Sequence, residues 1–229
     1  MSKSCPEQEL PVYIDDLRSY DGIPYIHFPD EYTGQPEVKL VCSQHYNCFT
    51  RPDITPAKQK KITQSWVDFL TSERLPLKRV QLCCRVSQQI LDAVCNQQSI
   101  EFLRIKWCAA PDLTAIARLI NLKQLYVGIG TSVTDISALG ELRNLEALCL
   151  DSTTKIHDYS PLGRLSELKA LDIGGNFQNK AKIDMDSDKF LYELKKLEFL
   201  HLPDVRVKER GFLYEENVRG FRYSCFRLA

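Results

Sequence analysis

The 229-residue chain lacks a net charge, a long apolar run, a second cysteine pair and a glycine-rich phosphate loop, and each lack removes a class of function. Thirty Lys and Arg balance thirty Asp and Glu, so no global field draws the protein to nucleic acid or to an anionic membrane. The balance breaks only locally: residues 1–40 hold eight acidic side chains against three basic ones, and residues 51–80 hold seven basic against three acidic. No apolar stretch approaches the roughly 18 residues that a membrane span needs. The N-terminal stretch MSKSCPEQELPVYIDDLRSYDG has no apolar core after its lysine, so no secretory signal is expected. The nine cysteines are odd in number, scattered, and often set in apolar runs. That pattern suits buried free thiols in a reducing compartment better than a disulfide framework, and the expected location is the cytoplasm.

What the chain does contain is a repeat. TDISALGELRNLEALCL, starting at Thr134, returns 23 residues later as HDYSPLGRLSELKALDI, with eight of the seventeen positions identical. Followed in both directions, the echo resolves into segments of the form L-x-x-L-x-L. They are LKRVQL from Leu77, IEFLRI from Ile100, LKQLYV from Leu122, LEALCL from Leu145, LKALDI from Leu168 and LEFLHL from Leu197. The intervals are 23, 22, 23, 23 and 29 residues, and a weaker copy, VRGFRY, starts at Val218. Apolar residues at the fourth and sixth positions alternate as a strand with one buried face requires. One such strand cannot bury its apolar edge alone, whereas a stack of equivalent turns makes a continuous core. The expected fold is therefore an α/β solenoid: a curved parallel β-sheet with short helices or turns on its convex side. SQQILDAVCNQQ (87–98) and DLTAIARLIN (112–121) carry helical spacing, while SALGELRN and SPLGRLSE suit tight helical turns.

These residues resemble the leucine-rich repeat, and TDISAL with HDYSPL is similar to the short bacterial internalin-type repeat. The resemblance covers roughly residues 75–226. It implies a polar ladder of Asn, Cys or Thr at the ninth repeat position. Cys108, Thr153 and Asn176 fit that ladder; Arg85, Gly130 and Val205 do not. The expected organisation is an N-terminal capping region at 1–74 and a repeat domain at 75–229, with six repeats and a degenerate closing one. Within the capping region, Thr55 and Pro56 open a helix near 56–72 that places Ile62, Trp66, Phe69 and Leu70 on one face, expected to cover the first repeat. The preceding 50 residues are either a small β element extending that cap or a separate module.

Three constellations invite a chemical reading. Cys42, His45 and Cys48 have zinc-ligand types, with Cys5 or His27 available as a fourth ligand, but no second pair accompanies them. The structural alternative is a strand end with a buried Cys. Asp184, Asp186 and Asp188 alternate as in a calcium loop, yet the loop's glycine and glutamate positions hold Lys189 and Lys195. Ser187 or Asp188 capping a short helix explains the stretch more simply. Cys149, Asp172 and His201 occupy equivalent positions in successive repeats and form a row. A thiol hydrolase needs the imidazole between thiol and carboxylate, whereas here Asp172 lies between them. No metal or cofactor is expected.

What remains is a surface. On the concave face the repeat assigns Phe102, Arg104, Lys106, Trp107, Gln124, Tyr126, Asp151, Asp172, Phe199 and His201 to solvent. Aromatic and Arg side chains on a rigid face serve as interface anchors. The expectation is a non-enzymatic scaffold for a protein or peptide, with no nucleic acid and no membrane as partner. Alanine at Tyr126 or Phe199 is expected to weaken binding by about 2 kcal/mol without unfolding the chain. The alternatives are an N-terminal segment folded into the groove, or an enzyme using zinc at Cys42, His45 and Cys48 or a reactive Cys149.

Overall fold

The computed structural model describes residues 22–43, 55–129, 133–174, 182–203, 205–209, 211–214 and 222–223. The repeat segments all become strands of one parallel sheet. Strands β1 (Tyr25–Ile26), β2 (Glu37–Leu40), β3 (Arg79–Val86), β4 (Phe102–Cys108), β5 (Gln124–Ile129), β6 (Ala147–Asp151) and β7 (Ala170–Ile173) lie side by side in that order. They are followed by β9 (Phe199–His201) and β11 (Arg222–Tyr223). From β3 to β9 each strand begins at the third residue of its L-x-x-L-x-L segment, and the register keeps equivalent positions opposite one another. Leu103 faces Leu125, Leu125 faces Leu148, and Leu148 faces Leu171.

The inward positions of these strands are almost wholly apolar and sealed, with Leu103, Leu125, Leu148, Leu171 and Leu200 all at 0% exposure. Each turn contributes one apolar rung, and no rung is buried without its neighbours. Register shifts at two places, between Leu82 and Arg85 where β3 runs beside β4, and between Ile105 and Cys108 where β4 passes Lys106 before rejoining β5. Gly128 sits against the second irregularity, and a Cβ there would come within 2.2 Å of the Lys106 carbonyl oxygen, so only glycine fits.

On the convex side the chain makes one short helix, α2 (Gln88–Val94), and then 3-10 turns at Thr114–Arg118, Ser137–Glu141, Ser160–Arg164 and Lys189–Glu193. A side-chain oxygen two residues upstream opens four of these elements' first turns. Asp112 accepts from the Thr114 amide, Asp135 from Ser137, Asp158 from Ser160, and Ser187 from Lys189, at 2.7, 2.7, 2.8 and 3.3 Å. The repeated D-x-S/T of the sequence is therefore an Asx turn that bends each repeat back toward its next strand.

The helix expected near 56–72 is α1 (Pro56–Ser72), with Thr55 accepting from the Lys58 amide and Pro56 in the first turn. It buries Ile62, Trp66 and Leu70 and lies beside α2 in the convex row. The sheet does not stop at the first repeat beneath it. β1 and β2 continue the sheet two strands further, with Val38 and Leu40 opposite Val80 and Leu82. Trp66 ties the helix to this extension by donating from Nε1 to the His27 carbonyl at 3.0 Å. The described residues 22–43 carry two strands continuous with the repeat sheet.

A second, two-stranded parallel sheet joins β8 (Ile183–Ser187) to β10 (Val205–Glu209). The aspartates weighed as a calcium loop stand on β8. Asp184 pairs with Arg206 at 2.9 Å, Asp186 pairs with Lys208 at 2.7 Å, and buried Asp188 accepts the Leu213 amide at 3.0 Å. Their alternation is a strand's alternation, and two of the three carboxylates are neutralised by cations from the neighbouring strand. Ser187, not Asp188, holds the following turn.

Candidate functional site

The concave face is built from two rows running across the sheet. One row aligns Arg79, Phe102, Gln124, Ala147, Ala170 and Phe199; the other aligns Lys39, Gln81, Arg104, Tyr126, Cys149, Asp172 and His201. The register that stacks the leucines on one side therefore stacks these side chains on the other.

Solvent access differs sharply from the expectation. Phe102, Arg104, Tyr126, Asp172 and Phe199 are buried at 4, 2, 3, 1 and 6% exposure. Lys106, Trp107, Gln124, Asp151 and His201 are half-buried. Part of the reason is visible in the stacking of long cationic side chains on neighbouring rings. The Arg79 guanidinium lies 3.6 Å from the centroid of Phe102, and Arg104 and the Lys106 ammonium lie 4.8 and 5.7 Å from that of Tyr126. Phe102, Tyr126, Ala147, Cys149, Ala170 and Phe199 thereby form a second apolar cluster, separate from the leucine core. Repeat periodicity locates these positions on the concave side but says nothing about what cations three residues or a strand away do over them.

The buried row also carries a chain of hydrogen bonds. The Tyr126 hydroxyl donates to Asp151 Oδ2 at 2.9 Å, with Lys106 Nζ 3.4 Å from the same hydroxyl. Burial and the Asp151 charge push the Tyr126 phenol well above its ordinary range, so it remains a neutral donor. One strand on, Asp172 accepts from the Cys149 thiol at 3.3 Å and lies 2.8 Å from His201 Nδ1. The order is the one read from the sequence: the carboxylate separates thiol and imidazole, so Cys149 donates to Asp172 and His201 bonds to the other oxygen of the same carboxylate.

The other chemical candidates have different surroundings. Cys42 is buried with its thiol against that of Cys84, while His45, Cys48 and Cys5 lie outside the described residues. Among the described residues no group of three or more His, Cys, Asp or Glu side chains is placed to hold a metal ion. Of the ninth-position ladder, Cys108 and Thr153 are buried and reach the carbonyls of Ala110 and Gly174. Arg85 is exposed with its guanidinium 5.8 Å from the Trp107 ring, and Val205 opens β10. Gly130 and Asn176 lie outside the described residues, as do residues 1–21, on which the folded-in alternative rests. No described helix is long and apolar enough to cross a membrane.

Among solved structures the chain is similar to an internalin, inlF, of Listeria monocytogenes. The TM-score is 0.53 at 19% identity, covering 74% of this chain and 41% of that one. It is also similar to internalin C2 of the same organism, with a TM-score of 0.56 at 25% identity, covering 68% and 64%. The chain has a leucine-rich repeat fold, similar to that of the internalins. It spans less than two thirds of the length of either internalin structure. No family model matches it, and no curated protein does.

The leucine-rich repeat also carries a signal that the sequence reading missed. The second position of the six L-x-x-L-x-L segments reads Lys78, Glu101, Lys123, Glu146, Lys169 and Glu198, a strict alternation of sign. In the structure Glu101 bridges Lys78 and Lys123, and Glu146 pairs with Lys169, each at 2.7 Å. The two lysines hold the Glu101 carboxyl down at about 2. Opposite charges on neighbouring strands favour the correct register, because any one-turn slip brings like charges together. Aligning the repeats vertically by their second residue is enough to show it.

Proposed function

We propose that this leucine-rich repeat protein is a non-catalytic scaffold that recognises a protein or peptide through its concave face. Its contacts come from the half-buried side chains Lys106, Trp107, Gln124, Asp151 and His201, with exposed Arg85 beside Trp107. The buried residues Phe102, Arg104, Tyr126, Asp172 and Phe199 form the floor that holds them. The observation that carries this reading is the hydrogen-bonded row: Asp172 orients His201 at 2.8 Å and Tyr126 orients Asp151 at 2.9 Å. Side chains fixed before contact lose less entropy on binding, which is what a recognition surface requires and what a solvated face does not show. Burial of Tyr126 and Phe199 also changes the earlier expectation for them. Alanine at either removes core packing as well as a contact, so binding is better tested at the half-buried positions.

The cytoplasm is the compartment proposed for it, in keeping with six free, buried cysteines among the described residues. The test is selection of a displayed random-peptide library on the full chain, followed by affinity measurements with Trp107→Ala and His201→Ala proteins whose circular dichroism matches wild type. Selected peptides are expected to bind the Trp107→Ala protein at least about tenfold more weakly, or about 1.4 kcal/mol. Peptides that bind both variants as well as wild type, or a library that enriches nothing, would overturn the concave-face assignment.

A further inference from the structure

The N-terminal extension brings two cysteines from distant parts of the chain into one place. β2 and β3 pair residue for residue from Glu37 with Arg79 to Leu40 with Leu82. Carried two residues further, that register sets Cys42 opposite Cys84. The strands do stay together that far, because the Ser43 hydroxyl donates to the Arg85 carbonyl. Both cysteines belong to the leucine core, beyond Leu40 and Leu82, and both have 0% exposure. Neighbouring strands lie about 4.8 Å apart, inside the roughly 4.4–6.8 Å range of Cα separations that a disulfide spans. The two thiols are in hydrogen-bond contact with each other.

The other described thiols are placed differently. Cys83 feels the Arg104 and Lys39 charges, Cys149 donates to Asp172, and Cys108 donates to the Ala110 carbonyl. Burial pushes Cys95 up to about 12 and Cys108 up to about 11. Within the contacting pair the titration is split: burial raises Cys42 well above its ordinary value, while the hydrogen bonds from Cys42 and Ser43 lower Cys84. Either sulfur of the pair can attack as a thiolate, with its neighbour placed to follow.

We propose that Cys42 and Cys84 are a modification site, a cross-strand dithiol that a small-molecule disulfide of the glutathione type converts to a disulfide joining β2 to β3. The thiolate of one cysteine attacks one sulfur of the reagent, whose sulfur–sulfur bond breaks and releases one reagent thiolate. The thiolate of the other cysteine then attacks the first cysteine's sulfur in that mixed disulfide and displaces the second reagent thiolate. Two electrons pass from the cysteine sulfurs to the reagent, and the two cysteine protons end on the two released thiols. The bond would tie the strand pair β1–β2 and the helix between the two cysteines to the first repeat. Because both sulfurs are sealed, the reagent reaches them only when this edge of the sheet opens locally.

The test incubates the reduced full chain with oxidised glutathione, blocks remaining thiols with an alkylating agent in denaturant, and maps tryptic peptides without reduction. Two of the nine thiols are expected to escape alkylation, joining the peptides 40–58 and 80–85 with the loss of two hydrogens. Those peptides also hold Cys48 and Cys83, so fragment-ion sequencing of the wild-type cross-link assigns the sulfurs without relying on any variant's folding. As a second check, the link is expected to survive Cys48→Ser and Cys83→Ser and to vanish in Cys42→Ser and Cys84→Ser. The oxidation rate should rise severalfold in urea below the global unfolding transition. Nine alkylated thiols after oxidation, or fragment ions placing the bond on any other pair, would overturn the proposal.

Discussion

The two faces of one sheet solve the same burial problem by different chemistry. On the inner face the rungs are Leu, Ile or Val with Cys42, Cys84 and Cys108 among them, and the face is sealed by apolar packing. On the concave face the same strands bury Lys39, Gln81, Arg104 and Asp172 among aromatic rings and small residues. Apolar burial needs only volume and periodicity, so the inner face repeats almost without variation. Polar burial needs a specific partner for each group, so the concave face changes from strand to strand: cations over rings at β3 and β4, a phenol on a carboxylate at β5 and β6, and a carboxylate between thiol and imidazole from β6 to β9. The first face makes the solenoid, and the second distinguishes this solenoid from others.

Substitutions on the two faces should separate these roles. The largest effect is expected for Leu148→Ala, which empties one rung of a continuous apolar stack. It should cost about 2–5 kcal/mol in urea unfolding, with loss of the cooperative transition across the whole array if the repeats fold as one unit. A cost confined below about 1 kcal/mol would mean that the inner rungs are not interlocked as described. Next comes Asp172→Ala on the concave face, which leaves the Cys149 thiol and His201 without their shared acceptor. The expected cost is about 1–3 kcal/mol, and Asp172→Asn, which keeps one acceptor oxygen, should cost less. Equal costs for the two variants would show that the carboxylate acts by volume and not by hydrogen bonding.

The smallest effect tests the sheet edge, where burial does not help. Glu101→Gln should cost only about 0.2–1 kcal/mol, because its side chain is 34% exposed and both its partners are more exposed still. Its pH dependence has a definite sign. The folded-state carboxyl is depressed, so its contribution is complete above the ordinary glutamate range and is lost as pH falls toward about 2. The difference in unfolding free energy between wild type and Glu101→Gln should therefore shrink between about pH 4.5 and pH 2. It should also shrink with added salt, and a difference constant across that window would remove Glu101 from the ion-pair ladder.

Much of this architecture was legible because it rests on local, repeated patterns. The strands at Leu103, Leu125, Leu148 and Leu171, the tight turns after Asp135 and Asp158, and α1 behind Thr55 all follow from spacing and from the preferences of single residues. The charge alternation from Lys78 to Glu198 was equally available to inspection. The pairing of β8 with β10 was not, because Asp184 and Asp186 look like cation ligands until Arg206 and Lys208, 22 residues downstream, are brought beside them. Nor was the burial of Arg104, Tyr126 and Asp172, since a repeat places a side chain on a face without saying what lies above it.

The sequence by itself determined the solenoid: its period, its leucine rungs and its parallel sheet, because each depends on contacts between a residue and its equivalent one turn away. Only the tertiary structure decided which concave residues stay accessible, how far the sheet extends past the first repeat, and which cysteines meet. Those outcomes depend on contacts between unlike residues from different turns, such as Arg79 on Phe102 and Cys42 on Cys84, and no periodicity encodes them.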